Sequence, residues 1–113
     1  MNYFNMEKIN IKPLSVNDAF QGRRYKTDRY KDFEKEMMLT LPIKFIGIPP
    51  YIIKLQFGFS SKASDIDNPV KQTIDCLSKK YKFNDNQVYR LEVEKFIVAK
   101  GEEYIKFDIL EKK

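Results

Sequence analysis

The chain has 113 residues, 42% hydrophobic and 33% charged, a size and balance that suit one small domain with a single core. With no histidine and one cysteine, Cys76, it excludes Ser-His-Asp and Cys-His catalysis, histidine-containing zinc sites and an internal disulfide. A net charge of +5 points to an anionic partner without naming one, and no apolar run approaches the roughly 20 residues of a membrane span. An intracellular, cytoplasmic domain without a leader or membrane segment is expected, and any metal is expected among oxygen ligands.

Ile9 and Ile11 alternate with polar residues and predict a first strand ending near Pro13. Leu14 to Tyr25 has no apolar period and reads as a loop. From Thr27, Tyr30, Phe33, Met37 and Leu41 recur at helical spacing, with Asp28 near the start and Pro42 closing the end. Tyr51, Ile53, Leu55, Phe57 and Phe59 alternate with Ile52, Lys54, Gln56, Gly58 and Ser60, the clearest strand of the chain. Asn68-Pro69 opens a second helix carrying Val70, Ile74 and Leu77. After a loop from Tyr81 to Asn86 come a strand with Tyr89, Leu91 and Val93, a turn at Lys100-Gly101, and a strand with Ile105, Phe107 and Ile109. The order β-α-β-α-β-β predicts a single α+β domain over residues 1–113, a small mixed β-sheet with two main helices.

Asp65 and Asp67 stand two apart between the long strand and the second helix; if that stretch is extended, both carboxylates face one point. Lys71 and Asp75 follow at intervals of four along one helix face, and Asp85 arrives from the next loop between Asn84 and Asn86. Three convergent carboxylates would repel by up to about 4 kcal/mol per pair at an effective dielectric near 20, a cost that a divalent cation removes. The same residues also fit a plainer arrangement: Asp67 or Asn68 as a helix cap, Asn84-Asp85-Asn86 as a turn, Lys71 and Asp75 as a surface pair. Spacing does not choose between them.

Asp65-Ile66-Asp67-Asn68, then Lys71, Asp75 and Leu77, then Asp85 and Gln87, resemble the signature of the RusA-type Holliday junction resolvases: D-x-D-N-x-x-K, an Asp-x-Leu pair on the same helix, and D-x-Q after the next loop. Upstream, Lys12-Pro13-Leu14-Ser15-Val16-Asn17 resembles the family's first-strand ending, and Gly22-Arg23-Arg24-Tyr25-Lys26-Thr27 its G-R-x-Y-x-[ST] segment. The resemblance covers about residues 9 to 110. It implies a homodimer that nicks two opposed strands of a four-way DNA junction symmetrically, in recombination and repair. Asp65, Asp67 and Asp85 would be ligands of Mg2+, with Mn2+ a substitute, and Lys71 the essential basic residue beside them. Lys12, Ser15, Asn17, Arg23, Arg24, Lys26, Lys62 and Asn68 make up the expected DNA-contacting set. One departure is the run Ser60-Ser61-Lys62-Ala63-Ser64, where family members often carry arginines; it weakens the local phosphate field.

The chemistry is coherent on its own terms, since a nuclease without histidine needs a metal to generate hydroxide, and Lys71 would stabilise charge on the phosphate. Arg23, Arg24, Lys26, Arg29 and Lys31, interleaved with Tyr25 and Tyr30, read as DNA-backbone contacts or as a solvated helix start. Tyr81 and Phe83 read as junction wedges or as core packing, and Cys76 and Met37-Met38 as core or interface. Two other functions stay open here: a general branched-DNA or flap nuclease, and a non-catalytic basic DNA-binding module whose carboxylates are caps.

Overall fold

The computed structural model describes residues 6–21 and 25–113. Its main sheet has four strands in the order β1-β6-β4-β5, with β1 at Glu7–Ile9, β4 at Tyr51–Phe59, β5 at Val88–Ile97 and β6 at Tyr104–Glu111. Strands β4 and β5 run parallel while β6 pairs antiparallel with β4 and β1, so the sheet is mixed as expected. Helix α2 (Asp28–Thr40) and helix α3 (Val70–Tyr81) are the two main helices, and α3 is the crossover that parallel pairing of β4 with β5 requires. The segment read as a loop is more ordered than its lack of periodicity implies. It holds a one-turn helix α1 (Val16–Ala19) and a two-stranded ribbon of β2 (Phe20–Gln21) and β3 (Tyr25–Lys26), elements too short to leave a repeating pattern. The first strand ends at Ile9, and Ile11 is buried beyond it.

The core follows the strand and helix periods. Ile53, Leu55 and Phe57 of β4 meet Ile105, Phe107 and Ile109 of β6 on the same face, in register Leu55 with Phe107 and Phe57 with Ile105. Tyr30, Phe33 and Met37 from α2 and Cys76 and Leu77 from α3 close that core; each fully buried Leu or Phe contributes about 2 kcal/mol or more. Tyr81 packs on Phe107 at 6.0 Å and Phe83 against Tyr51 at 5.6 Å, so both aromatics are structural. On the opposite face the Tyr104 hydroxyl donates to Gln56 Oε1 at 2.8 Å. A Cβ at Gly58 would come within 2.4 Å of the Tyr104 ring, which is why this strand position is glycine.

This arrangement leaves β5 as an edge strand with α3 beside it. The two define a groove along the Val70, Lys71, Ile74 and Asp75 side of the helix. Asp65 and Asp67 lie at the head of α3, Asp85 beyond its tail.

Candidate active site

Residues Asp65 to Pro69 are not extended. The Asn68 N–H donates to the Asp65 carbonyl at 3.3 Å and the Val70 N–H to the Asp67 carbonyl at 3.2 Å, so the segment is a pair of overlapping turns. The extended condition under which both carboxylates would face one point is not met, and the two line different clefts. Asp65 lines a cleft of about 250 Å³ with Lys12, Ser15, Ser60, Ser64 and Asn68. Asp67 opens instead onto the α3–β5 groove, in a cleft of about 370 Å³ with Ile66, Val70, Lys71, Leu91 and Val93. Both carboxylates are exposed.

The cap reading of these residues is not realised. The N-cap of α3 is Pro69 and no side chain caps the helix, so neither Asp67 nor Asn68 serves that purpose. Asp85 likewise caps nothing. It begins a 3-10 turn, Asp85–Gln87, whose reciprocal capping box is made by Asn84 and Gln87: Asn84 Oδ1 accepts from the Asn86 N–H, and Gln87 Oε1 from the Asn84 N–H. The three aspartates thus stand in or beside turns whose own hydrogen bonds come from the main chain, Asn84 and Gln87.

A second cleft, about 330 Å³, continues the groove toward Asp85 and is lined by Lys71, Asp75, Asp85, Val88, Tyr89, Arg90 and Leu91. The two clefts share Lys71 and Leu91, so one groove contains Asp67, Lys71, Asp75 and Asp85. Lys71 and Asp75 form the i,i+4 pair at 3.7 Å that their spacing predicts. Asp67 and Asp85 nevertheless line different clefts of that groove, with Lys71 common to both. Among the described residues, no three acidic, histidine or cysteine side chains are grouped to hold a metal ion. The donor chemistry of Asp65, Asp67 and Asp85 suits a hard divalent cation, but their placement within one chain does not make a three-carboxylate site.

Of the expected DNA contacts, Lys12, Ser15 and Asn68 share the Asp65 cleft. Lys62 is exposed in the turn after β4. Lys26 is engaged elsewhere, 3.0 Å from Glu34 and 4.8 Å above the Tyr30 ring. Arg23, Arg24 and the Asn17 side chain lie outside the described residues. Two residues that brace the site carry no sequence signal, because their partners are remote in the chain. Buried Gln72 donates from Nε2 to the Leu14 carbonyl at 2.7 Å and the Asn68 carbonyl at 2.9 Å, joining two walls of the Asp65 cleft. Lys95 of β5 donates to the Ser64 carbonyl at 2.7 Å and fixes the residue before Asp65. Cys76, fully buried, has its thiol pushed up to about 12 by burial, which removes it as a nucleophile.

A family model described as Endodeoxyribonuclease RusA matches residues 15–107. The chain belongs to the RusA family. No match emerges from the search of curated proteins. The RusA family is one of endonucleases that act on Holliday junctions, so the protein is a nuclease of a branched-DNA-acting family. The matched span takes in the wall of the Asp65 cleft, both main helices, the Asp65–Asn68 turns, Lys71 and Asp85.

Proposed function

We propose that this RusA-family chain is a Mg2+-dependent crossover junction endodeoxyribonuclease that acts as a homodimer in the cytoplasm, resolving four-way junctions by paired symmetric nicks in recombination and repair. The observation that carries the reading is the groove holding Asp67, Lys71 and Asp85, inside the span matched by the family model. Asp65, Asp67 and Asp85 are the proposed ligands, and Lys71 the proposed stabiliser of charge on the scissile phosphate.

The separation of Asp67 from Asp85 gives the dimer a chemical purpose. A two-fold axis across the middle of the α3–β5 edge reverses the direction of the groove. It would carry Asp85 of the partner subunit to the Asp65–Asp67 end of each chain. Exposed apolar side chains stand along this edge, Tyr89 toward the Asp85 end, Leu91 between, and Ile66 at the Asp67 end, and β5 is an edge strand of the main sheet. The segment before β4 adds Ile43, Phe45 and Ile48, all strongly exposed, whereas Tyr51, the first residue of β4, is 4% exposed and belongs to the core. Two symmetric sites match the two opposed strands of a four-way junction.

The test is cleavage of labelled four-way, three-way, flap and linear duplex DNA, with Mg2+ and with chelator. Paired nicks confined to the four-way junction and lost with chelator are expected. Equal cutting of flaps would make the protein a general branched-DNA nuclease, and binding without metal-dependent cutting would make it a binding module.

A further inference from the structure

Lys71 occupies an exposed first turn of α3, where an isolated i,i+4 ion pair fixes a lysine poorly. Its partner is different in kind from a surface carboxylate. The Asp75 side chain is 29% exposed against 68% for Lys71. Its Oδ2 accepts a hydrogen bond at 3.2 Å from the hydroxyl of Tyr30, a fully buried residue of α2. That same oxygen is the one 3.7 Å from Lys71 Nζ. Burial and the Asp75 charge both raise the Tyr30 hydroxyl above its ordinary value, so it remains a donor. Asp75 is thus anchored to the core on one side and opens to the groove on the other, between Lys71 and the Asp85 end.

We propose that Asp75, held by the Tyr30 hydroxyl, is a positioning residue that sets where the Lys71 ammonium stands in the groove. The inference rests on the reading of Lys71 as part of the reacting site. Tyr30 therefore has two roles, filling the α2–sheet core with its ring and steering the groove with its oxygen. Neither residue touches the scissile phosphate; both act through Lys71.

Single-turnover cleavage of a four-way junction in excess Mg2+ tests this, with junction affinity and thermal melting measured separately. Asp75→Asn keeps an acceptor for Tyr30 and removes the charge facing Lys71; the rate should fall roughly 10- to 100-fold with affinity unchanged. Tyr30→Phe keeps the ring and should lose less, in the same direction. In a Lys71→Ala background, Asp75→Asn should produce no further loss, because the residue it positions is gone. An equal fractional loss in both backgrounds, or loss tracking a lower melting temperature, would assign Asp75 a purely structural role and overturn the proposal. Full-rate cleavage by Lys71→Ala would also overturn it, by removing Lys71 from the site rather than Asp75 from Lys71.

Discussion

Helix α2 begins on the Thr27 hydroxyl, which accepts from the Tyr30 N–H at 3.2 Å, and buries a plain apolar stripe of Tyr30, Phe33 and Met37. Helix α3, packed on the same core, begins on Pro69 with no side-chain cap and buries Gln72 and Thr73 beside Cys76 and Leu77. Among the described residues, the two buried side-chain atoms without a hydrogen-bond partner, Gln72 Oε1 and Thr73 Oγ1, are both on α3. Local rules of stability are met along α2 and broken along α3, at whose head Asp65 and Asp67 stand. Departures of this kind gather where function competes with stability.

The largest effect is expected at Asp67. If its carboxylate serves a cation and not the helix, Asp67→Asn should lower junction cleavage on the order of 1000-fold or more while binding remains. Its melting temperature should be unchanged or slightly higher, since an exposed charge near Asp65 is removed. Loss of folding in that variant would return Asp67 to a structural role. The matching cut in α2 is Thr27→Ala, which should cost about 1 kcal/mol in denaturant unfolding with catalysis per folded molecule retained.

Thr73→Val sharpens the contrast from the other side. Replacing a buried hydroxyl that has no partner by a methyl of similar shape should be neutral or stabilise by up to about 1 kcal/mol. Destabilisation beyond that would show that the hydroxyl is in use.

The smallest effect belongs to the seam between the helices. Glu34 of α2 lies 2.8 Å from Lys79 of α3 and 3.0 Å from Lys26, and the hydrogen bond from Lys79 leads in holding its carboxyl below the ordinary value of 4.5. The unfolded chain takes up this proton at higher pH than the folded one. The contribution is therefore present above the ordinary glutamate range and fades as pH falls through the depressed folded value. Glu34→Gln should flatten the acid limb of the stability profile and leave the neutral-to-alkaline limb unchanged; an identical acid limb would mean that the pair is screened out in solution.

The fold was legible where burial is one-sided. Strand β4 begins and ends where its alternation does, and α2 follows its 3–4 spacing from Thr27 to Leu41. Helix α3 was legible in extent and less so in orientation: Val70 and Ile74 are only partly buried toward the groove, while Gln72 and Thr73 are in the core. Gln72 can be buried because carbonyls of Leu14 and Asn68 satisfy its amide, a long-range arrangement that no local pattern announces. At the site, the aspartates and Lys71 were readable as a motif. The division of Asp65 and Asp67 between two clefts, the placement of Asp85 in a cleft with Lys71 and Asp75, and the Tyr30–Asp75 contact depend on tertiary placement.

In the proposed dimer two chains share each reacting site, and mixing inactive variants distinguishes this from sites built within one chain. Asp67→Asn and Asp85→Asn homodimers should each be inactive on a four-way junction. Dissociated, mixed and reassociated, half of the dimers are heterodimers, in which one site would combine intact Asp65 and Asp67 from one chain with intact Asp85 from the other. Recovery of single-strand nicking at one site per heterodimer is the expected result. Subunit exchange confirmed by light scattering and mass spectrometry, with cleavage still absent, would contradict the shared site.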